Sequence, residues 1–351
     1  MSEATHNKTI AFTVTCGSLN ASQQSNQGVE TFFLEEHLDM VGMAQITLRP
    51  NSNVSQGSFK IGDPVEINVS GDARKWVGMI TGFKSMLVGN EAKFVILAMD
   101  PLCLLASSRH TRVWPPDGNN AGSEKVSDSD IFNEVAGAAG VQIGQVESLS
   151  PTRPYVFQRN ESDLNFLKRL AARNGLFLRA VEGKVNFEKM PTNGAEISVD
   201  YRTAKALEYT WSPMWVPPML KVHGYDYATK TRTKGEHSSF EAIGSGPDPV
   251  AYGNSKIWQK EAHVGDVFVA TDAGAKTMAE AELERLGRGF LRGRAIIDGS
   301  GDLYPGQKVT FTGFKELNAT AVIVSARHIV TTKPDDFRTE IHFASNSAPS
   351  S

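Results

Sequence analysis

The chain has 351 residues, 40% of them hydrophobic and 21% charged, and 36 basic against 39 acidic side chains leave a formal net charge of −3. That length allows two or three domains with a sizeable core, and the near-neutral balance sets up no global field favouring nucleic acid or an anionic membrane. No apolar run of about 18 residues occurs, so no membrane span is expected, and the polar start MSEATHNKTIAF lacks a secretory signal core, which predicts synthesis in the cytoplasm.

Residues 9–100 read as strands. TIAFTVT alternates, FFLEEHLDMVGMAQITLRP ends in a β-type run, and PVEINVSG, WVGMITGFKSML and AKFVILAMD follow with turn residues between them. Short strands at regular spacing predict a first β-barrel domain over 1–105. Residues 106–125 are polar and rich in Pro, Gly and Asn, which predicts a loop. This loop opens a helix–strand insert domain over 106–192. In it, SDSDIFNEVAGAAG (127–140) has a Ser127 or Ser129 cap and Gly140 as a stop. NESDLNFLKRLAARNG (160–175) reads as a second helix. Asn160 is the expected cap with Asp163 three residues later, Leu164, Leu167, Leu170 and Ala171 form one apolar stripe, and Gly175 sits at a left-handed C-terminal cap. LFLRAVEGKVNFEKM reads as a hairpin turning at Glu182–Gly183. Strand-like sequence resumes with LKVHGYDYATKTRTK. Residues 233–256 predict a long loop, DAGAKTMAEAELERLGRG (272–289) a helix of good formers, and the rest strand to about Phe343. The region 193–343 is thus expected to be a second β-barrel domain with a loop and helix insertion at about 233–289. Residues 344–351 are expected to form a disordered tail.

The chain echoes itself. IGDPVEINV (61–69) places Gly62, Val65 and Ile67 as PGQKVTFTG (305–313) places Gly306, Val309 and Phe311. WVGMITGFKSM and TAVIVSARHIV then follow at nearly equal distance. Each pair reads as two adjacent strands of one barrel, which predicts a duplicated barrel in one chain.

Chemistry is harder to find. LEEHLDM gathers Glu35, Glu36 and His37 but lacks the second His of a helical zinc motif. GRGFLRG (287–293) has the wrong flanks for a dinucleotide fingerprint, since a helix precedes it and a strand follows. Arg285, Arg288, Arg292 and Arg294 form a small basic cluster suited to a solvated helix end or to contact with an acidic partner. Eight histidines are scattered without ligand spacing, no G-x-S-x-G elbow is present, and Asp335–Asp336 sits in a turn-like KPDDF. Cys16 and Cys103 lack CxxC spacing and read as free thiols, a pairing between them staying open. No catalytic, cofactor-binding or metal residue is assigned. A peptidoglycan hydrolase would need a carboxylate pair that cannot be assigned, and a carbohydrate-binding β-protein could use Trp211 and Trp215.

The second helix and its hairpin closely resemble the signature of the phage late control protein D family, which includes the VgrG-type hubs of type VI secretion and related injectors. The pattern is carried by Asn160, Ser162, Asp163, Phe166, Leu167, Arg169, Leu170 and Gly175. LKVHGYDYATK (220–230) and residues 279–313, with a Leu-x-Pro-Gly turn at Leu303, Pro305 and Gly306, also look like the family. The likeness covers roughly residues 10–345. It implies a mainly β fold with an α+β insert, two similar β-barrels per chain, and a homotrimeric baseplate hub. Six barrels in a ring would adapt a hexameric tail tube on one face to a trimeric spike on the other. It also implies contacts with other baseplate proteins and no cofactor. The chain stops soon after the second barrel, so the spike is expected to be a separate polypeptide, with HFASNSAPSS on the spike-facing side.

Overall fold

The computed structural model describes residues 11–22, 28–49, 56–69, 74–116, 126–150, 153, 155–190, 196–252, 261–265, 269–314, 318–332 and 335–349. Alternation of apolar and polar residues gives seven strands first: β1 (Phe12–Cys16), β2 (Leu19–Ser22), β3 (Val29–His37), β4 (Met43–Leu48), β5 (Pro64–Val69), β6 (Trp76–Val88) and β7 (Glu91–Met99). Their inward positions, among them Phe12, Val14, Phe32, Ile46, Ile67 and Ile80, share one core. The insert follows as α1 (Leu102–Ala106), β8 (Arg109–Trp114), α2 (Asp128–Ala138), β9 (Ile143–Val146), β10 (Val156–Ser162), α3 (Asp163–Arg173), β11 (Leu176–Val181) and β12 (Lys184–Lys189). The remainder is β13 (Ile197–Asp200), β14 (Ala204–Trp211), β15 (Leu220–Asp226), β16 (Thr231–His237), β17 (Ala262–Gly265), α4 (Asp272–Gly287), β18 (Leu291–Asp298), β19 (Lys308–Thr312), β20 (Ala319–Thr332) and β21 (Asp335–Ser345). The fold is mainly β with a few helices.

The echo seen in the sequence is a repeated six-strand unit. The first unit is ordered β3-β4-β7-β6-β5-β1, the second β14-β18-β21-β20-β19-β13, so the strands match one for one in chain order. Local irregularities are repeated too. The β6–β7 ladder slips between Ile80 and Gly82, and the β20–β21 ladder between Ile323 and Ser325. The β3–β4 ladder slips between Val29 and Thr31, and the β14–β18 ladder between Ala204 and Ala206. Gly62 and Gly306 both have φ of 91°, where a side chain would be strained. Gly62 N–H donates to the Ile80 carbonyl at 2.8 Å, as Gly306 N–H does to Ile323 at 2.8 Å. One pairing differs: β1 runs antiparallel to β5, whereas β13 runs parallel to β19. The units join where β20 pairs with β3, making a single 13-stranded sheet. The second unit keeps its own core of Leu291, Ile297, Phe311, Ile323, Ile341 and Phe343.

In the insert, α2 and α3 pack on β9, β11 and β12 around Phe132, Leu167, Leu170, Val185 and Phe187. Ser127 caps α2, its hydroxyl accepting from Asp130 N–H. The cap of α3 departs from expectation. Ser162, and not Asn160, accepts from Asn165 N–H, at 3.2 Å. Asn160 instead has φ of 47° in β10, where pairing with β8 slips between Arg159 and Glu161. The strand runs on to the foot of the helix and so moves the cap two residues later. Asp163 serves no capping box; buried, it accepts from Gln158 Nε2 at 2.7 Å. The Glu182–Gly183 turn has both φ angles positive, as a two-residue hairpin requires.

Three further expectations are corrected. The stretch 106–125 holds β8, which pairs with β10 and is masked in sequence by its polar residues. The expected 233–256 loop contains most of β16, and its residues 253–256 lie outside the described set. β15, β16 and β17 form a separate three-stranded sheet, on which α4 packs through Leu220, Val222, Ala275, Ala279 and Leu283. The insertion in the second unit therefore includes Leu220–Asp226 as well. The tail is also built in as far as Pro349. Asn346, Ser347 and Ala348 are buried. Ile243 N–H donates to Asn346 Oδ1 at 2.9 Å, Gly244 N–H to Ser347 Oγ at 3.0 Å, and Ala348 N–H to the Pro247 carbonyl at 2.8 Å. Polar side chains that read as solvated end up supplying the bonds a buried backbone needs.

Candidate interaction surfaces

Among the described residues no three His, Cys, Asp or Glu side chains gather as a metal site. Glu35, Glu36 and His37 lie along β3 and separate by face. His37 Nε2 is 3.1 Å from Glu35 Oε1, while Glu36 turns inward and forms a buried ion pair with Arg74. The Arg74 guanidinium lies 4.2 Å from the Tyr304 ring centroid, so the pair ties the first unit to the turn before β19. His328 on β20 is fully buried with Nδ1 3.0 Å from Thr339 Oγ1, and burial pushes its pKa down to about 4. Arg179 of β11 bonds Glu188 at 2.9 Å and donates to the Pro305 carbonyl at 3.2 Å. Asp39 exchanges bonds with Leu178, the N–H of Leu178 donating to its carboxylate at 2.8 Å, and burial pushes its pKa up to about 6. Asp100 accepts from Gly42 N–H at 2.7 Å and Leu102 N–H at 3.0 Å, and burial raises it to about 7. Arg74, Arg179, Asp39 and Asp100 thus link the two units and the insert to one another.

The arginine cluster disperses. Arg285 pairs with Glu282 at 2.6 Å, Arg294 with Glu340 at 2.5 Å, and Arg288 lies 4.9 Å from the Phe177 ring centroid, leaving Arg292 on β18. Asp336 stands opposite Thr331 at the start of β21, and the Asp335 side chain lies outside the described set. Cys16 is buried and Cys103 half-buried, and both are free thiols. Burial pushes the Cys16 thiol up to about 12.

Strand edge and several large apolar side chains are exposed. β14 ends the sheet with β18 as its neighbour. Beyond Gly82, β6 pairs with β7, and among the described residues no strand covers its other edge. Phe83 is 39% and Leu87 73% exposed on that segment, beside exposed Val88. Trp211 ends β14 within 5.7 Å of the Phe290 ring, and Met214 and Trp215 follow in the short helix Pro213–Trp215, Trp215 being 77% exposed. Trp211 and Trp215 thus occupy one corner, next to the β14 edge. The β6 segment was missed in the sequence, although its run Met86, Leu87, Val88 beside a hairpin tip breaks period-two alternation and was a readable signal.

The chain is thus a doubled six-strand unit with a helix–strand insert and exposed strand edges. Solved structures share the architecture. A tail protein from Neisseria meningitidis matches with TM-score 0.67 at 12% identity over 96% of this chain and 97% of its own. The 43 kDa tail protein of prophage MuSo2 from Shewanella oneidensis matches with TM-score 0.67 at 12% identity over 95% and 98%. An Escherichia coli component of the type VI secretion system matches with TM-score 0.62 at 16% identity over 96% of this chain and 77% of that one. No curated protein matches in sequence. The family model for the phage tail baseplate hub (GPD) matches residues 35–334, and the chain belongs to that family. It is a structural hub protein of the phage tail baseplate type.

Proposed function

We propose that three copies of this chain close into a ring in which first and second units alternate around the axis. One face of the ring meets a sixfold tail tube and the other a threefold spike. The carrying observation is the duplication, down to matching bulges and the paired Gly62 and Gly306 turns. A unit repeated twice per chain lets a threefold assembly present a nearly sixfold surface. A cyclic arrangement also leaves no open end, which suits a chain with a strand edge at each side. The protein acts through surfaces and not through a reaction, is made in the bacterial cytoplasm, and takes its place in the baseplate with other tail proteins. Electron cryomicroscopy of the assembled particle tests this. Three copies in the hub layer are expected, and six copies would overturn the reading.

A further inference from the structure

The β20–β3 seam shows what covers such edges within one chain, and among the described residues the matching edges, that of β6 beyond Gly82 and that of β14, are uncovered. Matching bulges set Ile80 against Ile323, so Gly82–Val88 of β6 corresponds to Ser325–Thr331 of β20. Likewise 206–212, along β14 and one residue past it, corresponds to 31–37 of β3. Within the chain, β20 and β3 pair Ala326 with Glu36, His328 with Leu34 and Val330 with Phe32, and all six side chains are buried. Their counterparts on β6 are Phe83, Ser85 and Leu87, all exposed. Those on β14 are Trp211, exposed, and Tyr209 and Leu207, half-buried. The positions that make the internal seam are thus present twice and covered once.

We infer that β6 of one copy pairs antiparallel with β14 of the next copy, in the register Phe83 with Trp211, Ser85 with Tyr209 and Leu87 with Leu207. This rests on the ring reading above for its closure at three copies, but the register comes from the internal seam alone. β6 and β14 lie apart in the strand order of the sheet, so the partner is a second copy. The contact is heterologous: one edge meets a different edge, which generates a ring where the rotation closes. The seam is shorter at one end. Leu38 N–H donates to the Val324 carbonyl at 3.0 Å, whereas the matching residue after β14 is Pro213, which has no N–H to give to Thr81. Lys84 falls diagonal to Glu208, within reach for a long side chain.

Cross-linking tests the register. By analogy with the internal seam, Met86 faces Glu208 at a non-hydrogen-bonded pair, where Cα atoms approach to about 4.5 Å. Full-length M86C/E208C, purified and also assembled into particles, is oxidised and run without reductant. Covalent multimers ending at three chains are expected, and each single variant should give none. M86C/L207C, one residue out of register, should cross-link at least tenfold less. L87K should melt with the isolated wild-type chain, because Leu87 is exposed there, yet be lost from particles. Particles with three hub copies and no M86C/E208C cross-link would overturn the pairing while leaving the hub reading intact. Cross-linked chains continuing well beyond three would uphold the pairing and overturn the trimer.

Discussion

Arg74 illustrates how a single side chain carries load between units. Truncating it to Ala leaves the Glu36 carboxylate buried without its cation, and losing one partner of such a pair costs about 3 kcal/mol. A lower melting temperature is expected for R74A, partly restored in R74M/E36L, where no charge is left unpaired. Asp100 makes a pH prediction. Its pKa in the fold lies near 7, above the ordinary 3.8, so the folded protein holds a proton that the unfolded chain has released between those values. The resulting stability is fully present below about pH 4 and is lost as pH rises through about 7. His328, depressed to about 4, has the opposite sign: its contribution is present above pH 6.5 and lost as pH falls toward 4. Chemical denaturation of D100N at pH 5 and pH 8 is expected to show a smaller loss across that window than the wild type.

At the scale of the element, α3 is the most self-contained feature of the chain. Its stripe of Leu164, Leu167 and Leu170 is buried as the 3.6-residue period requires, and Phe166 joins it by stacking on Trp114 at 5.2 Å between ring centroids. L167D places an unpaired carboxylate among apolar neighbours, so a loss of several kcal/mol in denaturant unfolding is expected. The cap was not legible, because Asn160 and Ser162 are both good cap residues and only the length of β10 chooses between them. The turns before β5 and β19 offer a matched pair of tests. G62V and G306V should each cost roughly 1–3 kcal/mol, since valine meets the same backbone strain at either site.

For the whole molecule, a structural hub predicts an inert protein. Purified chain at high loading should leave peptidoglycan uncleared in a zymogram. Clearing that survives repurification would bring back the hydrolase reading.

The sequence by itself determined what local periodicity and turn chemistry can encode: strands alternating every two residues, the α3 stripe, the Glu182–Gly183 hairpin and the repeated glycine turns. Those signals also carried the family likeness and the doubling of the unit. Tertiary structure alone decided which distant strands meet. Pairing of β20 with β3 joins residues about 300 apart, and no local pattern specifies a partner at that distance. It also buried Asn346 and Ser347, whose polarity reads as solvent-facing until the segment at 243–247 supplies backbone groups for them to bond. Exposure of Phe83 and Leu87 was decided there too, because beyond Gly82 no strand among the described residues pairs with the other edge of β6.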